Sequence, residues 1–193
     1  KQGSYAAAIG SLESALSLTK KKTDKIRLNF ILAQLCALQN NPARSSNYYA
    51  SVIKMNPEYE MAFYAKINRA MAYQRGASNV AEIKEELEKM LNDQKNKEYY
   101  DQIYFALGDL ALKQGNKLEG ISYLEKAAEQ ESINLKQKTK THLKLANLYF
   151  NDKDYINAQA NYDSSVTYMD KNREDYLEIL DLRNGLTRIV KDI

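Results

Sequence analysis

The sequence predicts an all-α fold built from repeated antiparallel helix pairs, and three observations carry that expectation. A pattern of small and apolar residues recurs at fixed intervals along the 193 residues. Apolar positions follow the helical period, as in Ile103, Leu107, Leu110 and Ala111, which share one helix face. Two prolines and seven glycines are too few to supply the turns of a sandwich or a barrel.

The recurrence is plainest in two stretches. Leu107-Gly108, Ala111, Gly115, Gly120, Leu124 and Ala127 are matched, at identical intervals, by Leu145-Ala146, Tyr149, Lys153, Ala158, Tyr162 and Ser165. A third copy runs Leu32-Ala33, Cys36, Asn40, Ser45, Tyr49 and Val52, and Ile67-Asn68 with Met71 begins a less regular one. Taken in order, residues 5–18 form the second helix of a pair, with Ala8-Ile9, Leu12 and Ala15-Leu16 on its inner side. Helices 24–39 and 42–55 follow, the second opened by Asn41-Pro42, a cap residue before a proline whose missing N–H costs nothing in the first turn. Asn56-Pro57 is expected to open helix 58–75 in the same way. Helices 79–92, 98–114, 117–130, 135–151 and 155–168 continue the series, with insertions at Thr19–Asp24 and Asn92–Glu98. A last helix, 172–191, turns Tyr176, Ile179, Leu180, Leu182 and Leu186 inward and covers the end of the array. No segment predicts a strand.

Composition excludes several function classes. Lys and Arg number 28 against 25 Asp and Glu, a net charge of +3 spread too evenly for a nucleic-acid footprint. No run approaches the ~20 apolar residues of a membrane span. Cys36 is the only cysteine, so no intrachain disulfide forms. The chain begins at Lys1 without a methionine and reads as a fragment of a longer protein.

The candidate sites resolve mostly into structure. Gly108, Gly115 and Gly120 lack the preceding strand of a phosphate loop; Gly108 and Gly120 fit where two helices cross, and Gly115 fits the turn between them. His142, the single histidine, offers no two-histidine metal site, and Cys36 takes a small apolar core position. Asp152, Asp154 and Asp163 lack the glycine and terminal glutamate of a calcium loop, and Asp154 is placed to cap the helix starting at Tyr155. No metal, cofactor or catalytic residue is assigned, and the chain is expected not to be an enzyme.

The repeat resembles the tetratricopeptide repeat, a helix pair of ~34 residues whose copies stack. That resemblance implies one right-handed α-solenoid domain over 1–193, with about five repeats plus a C-terminal helix. Its first helices would line a concave groove for a protein partner, and no nucleic acid is expected there. The residues placed in that groove are Arg27, Phe30, Gln34, Arg69, Tyr73, Gln102, Phe105, Asp109, Leu112, Asn147 and Phe150. Asp109 and Leu112 are expected on the outer side of their helix. Only Asn147 stands at a carboxylate-clamp position, which argues against a chaperone-tail reader.

Three stretches are closer still: YEMAFYAKINRAMAY (Tyr59–Tyr73), KEYYDQIYFALGDLALKQGN (Lys97–Asn116) and LKLANLYFNDKDYINAQANYDSSV (Leu143–Val166). They resemble the tetratricopeptide lipoproteins of the type IX secretion and gliding-motility machinery of Bacteroidetes, the PorW and SprE type. Ser45 and Lys153 depart from the repeat, which usually has Ala and Gly there. The resemblance implies a periplasmic scaffold tethered to the outer membrane by a lipid upstream of this segment, joining parts of that apparatus. The alternative is a generic cytosolic co-chaperone or complex-assembly module.

Overall fold

A computed structural model describes residues 2–192, with side chains described from Tyr5 onward. Among these residues every regular element is a helix, and each helix packs on its neighbour in sequence within two compact units, Lys1–Asn92 and Asp93–Ile193.

The first unit holds α1 (Gln2–Leu18), α2 (Lys22–Leu38), α3 (Pro42–Lys54), α4 (Tyr59–Met71) and α5 (Val80–Leu91). Its core has two parts. Ile9, Leu32 and Cys36 join α1 to α2, while Ile26, Ala33, Tyr49, Val52 and Ala65 join α2, α3 and α4. Asn41 caps α3 as its motif predicts, its side chain accepting from the Arg44 N–H at 3.2 Å ahead of Pro42.

Asn56-Pro57 does something else. α4 starts only at Tyr59, and Asn56 adopts φ +47° with its N–H on the Ile53 carbonyl, so it ends α3 rather than opening α4. Asparagine tolerates that left-handed conformation better than most residues, which makes it ambiguous between the two jobs. α4 also stops at Met71, short of the expected 75, because the chain enters a turn with Gly76 at φ +91°.

The second unit opens with a 3-10 segment, Gln94–Tyr99, inside the expected insertion, started by Asp93 accepting from the Lys95 N–H at 3.0 Å. α6 (Tyr100–Gln114), α7 (Lys117–Glu129), α8 (Leu135–Asn151), α9 (Tyr155–Tyr168) and α10 (Tyr176–Lys191) follow. α10 starts at Tyr176 rather than at 172, after an Asp170 turn and a bidentate Arg173–Asp175 pair. Ile179 and Leu186 bury its inner face against Ala158, Tyr162 and Met169, whereas Leu182, expected inside, is exposed.

The repeat shows in the backbone itself. At the turn of each of three pairs, the N–H of Asn41, Asn116 and Asp154 donates to the carbonyl five residues back, on Cys36, Ala111 and Tyr149. This is the closure of a helix ending in a left-handed residue, and those residues are Asn40 (φ 56°), Gly115 (φ 91°) and Lys153 (φ 63°). α6 and α7 cross at Gly108 and Gly120. A Cβ on Gly108 would stand 2.8 Å from Leu124 Cγ and 3.0 Å from the Gly120 carbonyl oxygen. One on Gly120 would stand 2.6 Å from Leu112 Cγ and 3.1 Å from the Gly108 oxygen.

Urea unfolding measures both devices. Gly108→Ala should destabilise by about 1–3 kcal/mol, since backbone atoms cannot move aside as a flexible side chain can. Lys153→Gly should stabilise by about 1 kcal/mol, because the left-handed backbone costs a Cβ-bearing residue that much. A Gly108→Ala protein with wild-type stability would show that the crossing is not close-packed.

Candidate functional site

In each unit the space between consecutive first helices holds the candidate surface. In the first unit, α2 and the start of α4 form an open cavity of about 340 Å³ whose lining includes Ile26, Arg27, Phe30, Pro57, Met61 and Tyr64 together with Glu58 and Glu60. Phe30 is fixed there by an edge-on contact with Tyr49, ring centres 5.5 Å apart. Tyr49 is itself locked in the core, and burial pushes its hydroxyl pKa up to about 12. Arg27 and Gln34 are exposed.

The expected groove departs from exposure elsewhere. Arg69 is 5% exposed and reaches α5, its Nη1 donating to Glu82 at 3.0 Å and Glu86 at 3.1 Å. A buried guanidinium must be paired, so Arg69 holds α4 to α5. Tyr73 is buried, past the end of the helix.

In the second unit Asp109 is 4% exposed and bridges two helices: Lys113 of its own helix lies at 2.8 Å and Lys144 of α8 at 2.9 Å. Leu112 sits over Gly120 in the α6–α7 crossing, not on the outer side of α6. Phe105 is buried beneath Lys140, whose ammonium lies 4.3 Å from the ring centre, and Gln102 is half-buried. Burial pulls the Lys140 pKa down; Asp109 opposes this, and Lys144 and Lys113 add to it. Asn147 is exposed, but its Oδ1 accepts from the Tyr162 hydroxyl at 2.6 Å. Phe150 is exposed and meets Tyr155 edge-on at 5.9 Å.

The residues set aside as structural stand where packing needs them. Cys36 is fully buried, and His142 stacks on Tyr168 and shares a hydrogen bond with Asn161. Asp154 caps α9, Asp152 pairs with Lys117, and Asp163 pairs with Arg183 across to α10. Among the described residues no group of three potential metal ligands converges.

Met61, Tyr64 and Thr139 line first-helix cavities without having been singled out from the sequence. The intervals that equate Leu32 with Leu145 also equate Ile26 with Thr139 and Arg27 with Lys140. A hydroxyl in a core register was the available signal.

The Asp109 bridge gives a pH test. Burial alone would raise this carboxyl, but hydrogen bonds from Lys113 and Lys144 outweigh it and hold the pKa below the ordinary value. Its contribution is therefore present above about pH 4, the unfolded-state value, and is lost as pH falls through the folded value. Asp109→Asn should cost about 1–2 kcal/mol at pH 7, the half-exposed lysines limiting the loss. The gap between mutant and wild type should close near pH 2, and a gap independent of pH would refute the bridge.

No curated protein matches the chain. The tetratricopeptide-repeat family model matches residues 101–134, which span α6, α7 and the turn that Gly115 makes. Residues 101–134 are thus a tetratricopeptide repeat within an all-α chain, and the same backbone closure recurs at Asn41 and Asp154 in two further helix pairs.

Proposed function

We propose that this chain is a non-enzymatic protein–protein interaction scaffold, acting in the periplasm as an outer-membrane-associated adaptor of a Bacteroidetes secretion and gliding apparatus. The observation that carries the scaffold reading is the open cavity between α2 and α4. Phe30, Met61 and Tyr64 give it an apolar floor, with Arg27 and Glu60 also lining it. An anchoring side chain of a partner would be desolvated against that apolar surface while the charges lining the cavity set its register. Arg27 suits this use because it is exposed and makes no ion pair among the described residues. The compartment and apparatus rest on the likeness of Tyr59–Tyr73, Lys97–Asn116 and Leu143–Val166 to the lipoproteins of that machinery.

Affinity capture from the source organism's cell envelopes should recover secretion or motility components. Recovery should fall about tenfold for an Arg27→Ala, Phe30→Ala double variant, since truncating one anchor typically costs about 1–2 kcal/mol or more. Recovery of cytosolic chaperones alone would overturn the adaptor reading in favour of a co-chaperone module.

A further inference from the structure

The second unit carries a cavity of about 800 Å³ at the place in the repeat that corresponds to the α2–α4 cavity. Its walls are the first turns of α8, the last turn of α9 and the segment leading to α10. Leu135, Tyr168 and Met169 supply apolar surface; Lys136, Lys140 and Arg173 supply cations, and Asp170 is the one acid on the wall.

Two of these charges are already engaged. Arg173 is held by Asp175, and Asp170 accepts from the backbone and side chain of Asn172. Lys136 and Lys140 make no ion pair among the described residues, although the Lys140 ammonium rests on the Phe105 ring. Lys138, between them in sequence, is turned onto the Tyr168 ring, its ammonium 5.0 Å from the ring centre.

Thr139 is the decisive residue. It is 3% exposed, it lines this cavity, and its hydroxyl has no hydrogen-bond partner among the described residues. Thr141, on the same helix, returns its hydroxyl to the Gln137 carbonyl, so the helix does offer that solution. Ser45, another buried hydroxyl without a partner among these residues, occupies the crossing-point place that Gly120 takes in α7, where small size explains it. Thr139 occupies the register of Ile26, where a methyl would do as well. A buried hydroxyl left unpaired costs stability that an apolar residue would restore.

We propose that the Thr139–Lys140–Lys136 cavity receives a carboxylate side chain of an acidic protein segment, with an adjacent apolar residue resting on Leu135, Tyr168 and Met169. The Thr139 hydroxyl would donate to one carboxylate oxygen, and the two ammonium groups would balance its charge. This inference rests on the reading of the chain as a protein-binding scaffold, and it names the chemistry of the partner.

The test uses the 193-residue chain and two fluorescein-labelled nonapeptides with blocked ends, one carrying Glu-Leu-Glu at its centre and the other Gln-Leu-Gln. Fluorescence anisotropy should show the glutamate peptide binding roughly tenfold more tightly, the scale of a hydrogen bond to a charged group. Thr139→Val and Lys136→Met should each weaken the glutamate peptide several-fold and leave the glutamine peptide unchanged. Thr139→Val should also raise Tm by roughly 2–4 °C, a gain in stability with a loss of binding. Equal binding of both peptides would overturn the inference and leave the scaffold reading standing. Binding of neither would also overturn it, and the scaffold reading would then be judged by the Arg27 and Phe30 variants. Displacement of the glutamate peptide by inorganic phosphate at about 1 mM, within the range of weak free-anion binding, would assign the cavity to a free anion and overturn the peptide claim.

Discussion

The close crossing of paired helices is the constraint from which the rest follows. At Gly108 and Gly120 the backbones of α6 and α7 come so near that each glycine's carbonyl oxygen would touch a Cβ on the other. Leu112 and Leu124 then close over the two glycines, one from each helix. The same places hold Ala33 and Ser45 in the α2–α3 pair and Ala146 and Ala158 in the α8–α9 pair, all fully buried. Small residues there let larger neighbours interdigitate, so a pair is fixed by what is missing as much as by what is present.

A crossing that tight demands a short, repeatable turn. The turn is supplied by one residue in the left-handed region, followed by a hydrogen bond reaching back into the first helix. Glycine fills that place once; asparagine and lysine fill it in the other pairs and accept some strain. The backbone closure is thus kept where the side chain is not, which explains how a repeat survives with so little residue identity between copies.

Legibility in the sequence divides along the same line. Helix positions, the glycine crossing, the Gly115 turn and the Asn41 and Asp154 caps depend on local spacing and small-residue placement, and these can be read from residues alone. The role of Asn56 could not, because asparagine suits both a helix cap and a left-handed end. The groove residues were harder. The repeat frame gives the face a side chain starts from, but whether it stays in solvent depends on what a neighbouring helix offers. Arg69 finds Glu82 and Glu86, Asp109 finds Lys144, and Phe105 is roofed by Lys140, all across helix boundaries.

Burial of these charges in turn shapes what remains for a partner. Arg69 and Asp109 are neutralised internally, so their helices are tied together and their charges do not reach outward. Arg27 and Lys136 have no such ion pair among the described residues, and both stand at first-helix cavities with apolar walls. A partner's acid could meet either cation without breaking an existing pair, while its apolar residues gain the floor beneath. Within each unit the paired charges that tie helices together and the cations without an ion pair among the described residues are therefore distinct sets of residues.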